Sequence, residues 1–222
     1  MIEHAWDISP AEAAALQRRL AGEVRVEPIG RDVRTVAGAD CALLDGGRRI
    51  AAAAVLCDAR SWEIIASAHV VRPLEFPYVP GLLSFREAPA VIEAVRKLPR
   101  PADLLMCDGQ GLAHPRGLGL ASHVGLWLDI ATIGVAKSRL CGEHEAPGLR
   151  RGCRRQLRLA GRVIGAVVRT RTSVKPLYVS VGHRVTLDEA VYWTLRACRG
   201  VRLPEPTRKA HQYVSRLKIV GL

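Results

Sequence analysis

Apolar positions between residues 33 and 72 fall into three runs, 33–44, 48–58 and 62–72, each of strand length. Asp45-Gly46-Gly47 and Asp58-Ala59-Arg60-Ser61 separate them, and breaks this short predict hairpin turns and an antiparallel meander. Ahead of the meander, Ser9-Pro10-Ala11-Glu12 supplies an N-cap, a proline at N1 and a glutamate at N3 for a helix reaching about Leu20. A proline-rich connection, 73–81, follows it, and Ser84-Phe85-Arg86-Glu87 reads as the capped start of a helix ending near Lys97. The apolar run 103–107 is then a short buried strand, which the helix returns parallel to a meander strand through a right-handed crossover. In the second half, 118–129 reads as a helix and 132–135 as a strand. Residues 139–158, rich in Gly, Pro and Arg, read as an irregular excursion. Residues 161–170 and 176–181 form a candidate hairpin, and 186–198 and 207–217 are closing helices. With no repeat and no linker, the pattern predicts one α/β domain over 1–222: a mixed sheet of three antiparallel strands plus parallel ones, flanked by helices.

Composition narrows the class. Hydrophobic residues at 49% and charged residues at 24% exclude a disordered, collagenous or coiled-coil chain. The longest apolar run, 50–57, falls far short of the ~20 residues of a membrane span, and no signal peptide is visible. Six cysteines without a C-x-x-C pair suggest reduced thiols in a cytoplasmic protein and disfavour zinc. The net charge of +12 is unevenly spread. Residues 1–111 carry 13 basic and 15 acidic side chains, whereas 112–222 carry 20 and 6. A basic half of this kind suits a polyanion, although a solvated loop accounts equally well for the cluster Arg150, Arg151, Arg154, Arg155, Arg158 and Arg162. Aromatic residues, at 5%, are too few for a base-stacking platform.

Three acids stand in apolar surroundings. Asp40 lies inside the first strand, where aspartate is disfavoured and a buried carboxylate needs a partner or a metal. Asp108 ends the strand 103–107, at the carboxyl end where open α/β sheets place ligands. Glu87 either closes a capping box with Ser84 or completes an all-oxygen cluster. Such a cluster suits Mg²⁺, with Mn²⁺ as a substitute, and fits phosphodiester hydrolysis. Beside it stand Pro77-Tyr78-Val79-Pro80, a stiff segment able to wedge into a base stack or simply to bury a tyrosine, and His114-Pro115-Arg116, with a proton carrier and a phosphate ligand. Lys137 follows the strand 132–135, and His211 lies far off in the last helix.

Together these stretches resemble the endonuclease V family of deoxyinosine-directed repair nucleases, from Val36 to His211. The resemblance is carried by residues 77–87, by 108–116, by Gly134-Val135-Ala136-Lys137-Ser138, by Gly182-His183-Arg184-Val185 and by Pro204-Glu205-Pro206-Thr207-Arg208, in the family's order. It implies an RNase H-like mixed sheet with Asp40, Glu87 and Asp108 as Mg²⁺-binding catalytic acids, and His114 and Lys137 near the scissile phosphate. It further implies a strand-separating wedge of Pro77, Tyr78, Val79 and Pro80. Leu83, Gly109 and Leu120 would line the pocket for an everted hypoxanthine, with Gly111 and Arg116 also in contact with substrate. Cleavage would fall at the second phosphodiester 3′ to the lesion, leaving 3′-hydroxyl and 5′-phosphate ends. The expected partner is inosine-containing DNA, with RNA left open, handled by a cytoplasmic monomer with no membrane association. Gln110 departs from the histidine of many relatives, and a glutamine cannot carry protons; His211 matches only some members. The rival readings are another RNase H-like nuclease, such as a junction resolvase, and a non-catalytic nucleic-acid-binding protein on a nuclease scaffold.

Overall fold

The computed structural model describes residues 2–220. Eight strands form one sheet: β1 (Thr35–Leu44), β2 (Arg49–Asp58), β3 (Ile64–Pro73), β4 (Leu104–Cys107), β5 (Thr132–Ala136), β6 (Arg154–Leu159), β7 (Arg162–Val168) and β8 (Leu177–His183). Their order across the sheet is β3-β2-β1-β4-β5-β8-β7-β6. The meander β1-β2-β3 is antiparallel, while β4 runs parallel to β1 and β5 parallel to β4, giving the expected mixed sheet. Five helices flank it: α1 (Pro10–Ala21), α2 (Leu83–Arg96), α3 (Leu120–Leu128), α4 (Leu187–Ala197) and α5 (Glu205–Val220). The start of α1 is the capping box read from its sequence, with Ser9 and Glu12 exchanging hydrogen bonds.

Small side chains let helices press on both faces of the meander. In β2, Ala52 and Ala54 pack toward α2, and Ala51 and Ala53 pack beneath α5. A strand covered on both sides reads as a continuous apolar run rather than an alternating one. Gly38 in β1 is required by this approach: a Cβ there would lie 2.1 Å from the carbonyl carbon of Pro206 in α5.

Four local readings are corrected. Leu82, not Ser84, occupies the N-cap of α2 and makes no side-chain cap. Ser84 is buried inside the helix, where its hydroxyl lies 3.1 Å from Nδ1 of His123. The capping box expected of Glu87 therefore does not form. Residues 154–158 are not part of an irregular excursion but belong to β6, an edge strand paired antiparallel with β7. Its first three residues are all exposed, which hides the two-residue alternation of a half-buried strand. Trp62 belongs to the β2–β3 turn, buried and with a positive φ of 64°, and β3 begins only at Ile64. The expected hairpin of 161–170 and 176–181 is present as β7 and β8.

Candidate active site

The last paired residues of β1 and β4 are Ala39 and Cys107; Asp108 leaves the sheet there, while Asp40 continues β1 on the adjoining strand, paired with Ala53 of β2. The Asp108 backbone N–H still donates to the Ala39 carbonyl at 3.3 Å. Asp40 lies on the sheet face beneath α5, and there its Oδ2 meets Nδ1 of His211 at 2.6 Å, while its Oδ1 accepts from the Cys41 N–H at 2.9 Å. Asp108 pairs with Lys137, which follows β5 on the same sheet edge. Glu87 approaches from α2 on the other face. Burial first, then the charges of Asp40 and Asp108, push its carboxyl up to about 7, with Arg86 opposing. Asp40 is raised as well, by burial and by Asp108, against the opposing pull of His211.

Two carboxyls raised by burial and by the charge of Asp108 mark a site starved of positive charge. Lys137 supplies part of it through its pair with Asp108, and His211 hydrogen-bonds Asp40. Among the described residues no three His, Cys, Asp or Glu side chains already converge around a metal-sized position. The donor set nevertheless fits a hard divalent ion, because it offers oxygen alone. The neighbouring thiols do not compete: burial holds Cys107 up to about 12 and Cys41 well above its ordinary value, so both stay protonated.

The Tyr78 loop stands beside α2. Tyr78 is 72% exposed, an unusual position for an aromatic ring whose loop is firmly held. The Gly81 carbonyl accepts from Arg116 at 2.7 Å, from His114 at 3.0 Å and from Gln17 at 3.1 Å. Gly81 has a positive φ of 78°, and a Cβ there would meet the Arg116 guanidinium at 2.6 Å. His114 is buried and accepts the Arg116 N–H on Nδ1. Burial and Arg116 lower its affinity for a proton to about 4, so the ring is neutral near pH 7. His114 and Arg116 thus anchor the loop through these contacts. Gln17, on α1, escaped the sequence reading; it is fully buried, donates to the Leu118 carbonyl at 2.6 Å and accepts from Arg116 Nε–H.

A cavity of about 190 Å³ opens beneath Tyr78, lined by Leu83, Leu120, Leu140, Gln110 and His114 among others. Gly109 lies behind it, where a Cβ would touch Leu120 at 3.4 Å. Gly111 is turned elsewhere: a Cβ would meet the Val181 carbonyl at 2.0 Å, and its N–H donates to Ser180 Oγ. The need for glycine at 111 is packing against β8. A larger cleft, about 720 Å³, holds none of the three acids. It lies between β6 and α4, where Arg154 pairs with Asp188 and Arg155 with Glu145.

Further along the site's edge of the sheet, buried Arg169 staples two loops together by donating to the carbonyls of Pro147, Gly148 and Val174. Those loops expose Arg150, Arg171 and Lys175, none of which has a carboxylate partner among the described residues. Lys175 lies just before β8, two strands from β4 on the same edge of the sheet as Asp108.

The profile of the family described as Endonuclease V matches residues 18–212. The chain belongs to the endonuclease V family. It is 47% identical over 211 residues to the endonuclease V of Azotobacter vinelandii, covering 95% of this chain and 96% of that protein. The crystal structure of endonuclease V from Streptomyces avermitilis superposes with a TM-score of 0.92 at 43% identity, over 100% of this chain and 98% of that one. Ciona intestinalis endonuclease V, solved with a 23mer DNA containing an inosine followed by a ribo-adenosine, shares the fold at a TM-score of 0.83 and 22% identity, over 96% and 99% of the chains. As a member of this family the protein is a DNA repair endonuclease, a phosphodiester hydrolase. No helix among the described residues is long and apolar enough to cross a membrane.

Proposed function

We propose that Asp40, Glu87 and Asp108 bind Mg²⁺, or Mn²⁺ in its place, and cleave inosine-containing DNA at the second phosphodiester 3′ to the lesion. The observation that carries this reading is that Asp40 of β1 and Asp108 at the end of β4 stand on adjoining strands, with Glu87 of α2 near enough for both to raise its carboxyl. When bound, the ion acidifies a water and stabilises the leaving oxygen. Lys137, paired with Asp108, is the cationic side chain next to the reacting phosphate. His211 holds Asp40 in position from α5.

Tyr78, with Pro77, Val79 and Pro80, enters the duplex beside the lesion, because its exposed ring sits on a loop tied at Gly81. An inosine mispair is weakly held, so taking it out of the stack costs less than extruding a normal base. The cavity beneath Tyr78, with Leu83, Leu120 and Gly109 around it, receives the base. The Ciona relative, solved with inosine-containing DNA, supports such DNA as the substrate. The chain works as a cytoplasmic monomer, folded as one domain.

Cleavage of an inosine duplex, an undamaged duplex and a four-way junction, each with and without Mg²⁺, tests the reading. Cutting of the inosine duplex alone, and only with Mg²⁺, is expected. Equal cutting of the junction would favour a resolvase, and binding without cutting would make the chain a passive nucleic-acid-binding protein.

A further inference from the structure

Gln110 lines the cavity beneath Tyr78, and its side-chain oxygen is buried with no hydrogen-bond partner. Unpaired buried acceptors are rare because each forfeits its hydration. Other buried side-chain atoms also lack partners, but among the described residues Gln110 alone of that set borders this cavity. Its orientation is fixed from both ends. The Gln110 carbonyl accepts from Ala121 N–H at 3.0 Å at the start of α3, and its Nε2 donates to the Ser138 carbonyl at 3.0 Å. A carbonyl can only accept, so the amide nitrogen must face Ser138 and Oε1 must be the atom left without a donor.

We propose that Gln110 is a specificity-determining residue, its Oε1 accepting the ring N–H of a lactam purine everted into this cavity. This rests on the reading of the cavity as the base site. The chemistry separates the damaged base from its parent. Hypoxanthine carries a hydrogen on N1, whereas adenine presents a lone pair there. An acceptor held at that position pairs with the first and repels the second. Discrimination by a fixed polar group exceeds what an apolar pocket of the same shape achieves. The glutamine thereby gains a role that needs no proton transfer.

The test crosses two proteins with two lesions: the unaltered protein and Gln110→Met, each on duplexes carrying deoxyinosine or deoxynebularine, a purine with neither the N1 hydrogen nor the 6-oxygen. Gln110→Met is expected to lower kcat/KM roughly tenfold on inosine and to raise it on nebularine, whose N1 lone pair faces Oε1 in the unaltered protein. Thermal melts show whether the variant is folded, and Gln110→Leu serves if it is not. Equal losses on both lesions would make Gln110 a structural residue and overturn the proposal, as would no loss on inosine. Should the unaltered protein cut inosine no better than adenine, the base reading itself fails and the proposal with it, an outcome visible before any variant is made.

Discussion

Replacing Gln17 with leucine preserves the size of a buried helix position while removing the amide that ties α1 to the Tyr78 loop. The Leu118 carbonyl loses a donor at 2.6 Å, Gly81 loses one of its three donors, and Arg116 Nε–H loses its acceptor. A neutral hydrogen bond contributes ~1 kcal/mol and one to a charged group ~1.5–3 kcal/mol. With Gly81 still served by Arg116 and His114, the net cost is about 3 kcal/mol. In a chain of this size that lowers Tm by roughly 6–12 °C. The functional consequence is more specific. Arg116 is freed to move, and the loop carrying Tyr78 loses its fixed position. A wedge matters only where two strands must be parted, so Gln17→Leu should lose most of its activity on an inosine duplex and retain most of it on an inosine single strand. Cleavage of both substrates is measured well below the variant's Tm, beside Tyr78→Ala as the reference for a missing wedge. Equal loss on single and double strands, or a Tm within a degree of the parent, would refute the argument that Gln17 acts through the loop.

Glu87→Gln should keep the fold and lose Mg²⁺-dependent cleavage, whereas Ser84→Ala, which removes the hydroxyl from His123, should melt lower by about 1 kcal/mol and still cut; melts and cleavage rates on the pair separate the roles. Replacing Arg150, Arg171 and Lys175 with glutamine should flatten the dependence of log affinity on log salt by about 2 to 3, at ~0.9 for each phosphate no longer neutralised; an unchanged slope in binding titrations would make these solubility charges. His114 and His123 are both held neutral by burial, with proton affinities lowered to about 4 and about 3. Their contribution to stability is complete above the unfolded value of about 6.5 and is lost as pH falls toward those values, at ~1.4 kcal/mol per unit for each. Denaturant melts from pH 7 to pH 4 should show this acid loss, and His123→Asn should reduce its slope by about one proton.

Asp40 and Asp108 were legible because their signal is local: a carboxylate interrupting an apolar strand, and another at a strand's carboxyl end. Parallel pairing of β1 and β4, expected from the intervening helix, then brings them together. The stiffness of the Tyr78 loop was legible too, since two prolines around a tyrosine define a short segment; the exposure of its ring was not. Gln17 was not, because a polar residue on an amphipathic helix looks solvated until a distant loop packs over it. Ser84 misled for a related reason: its spacing to Glu87 satisfies the capping rule, but a bond to His123, supplied by α3, draws the hydroxyl into the core. The arginines of β6 conceal a strand because its other edge is paired only at Arg158, with Glu143, leaving alternation too weak to register. Contacts between elements far apart in sequence, such as His211 with Asp40, have no local signature at all.

Everything proposed for the site depends on the three acids holding a divalent ion that cleaves beside inosine. Cleavage of one inosine duplex across a Mg²⁺ titration, by the parent and by Asp40→Ala, tests this most directly. The parent is expected to show a saturable rise from no cutting to full cutting, with a single nick at the second phosphodiester 3′ to the inosine. Asp40→Ala should stay folded and cut at no Mg²⁺ concentration. Substantial Mg²⁺-dependent cutting by Asp40→Ala, or cutting by the parent in the presence of a chelator, would contradict the account.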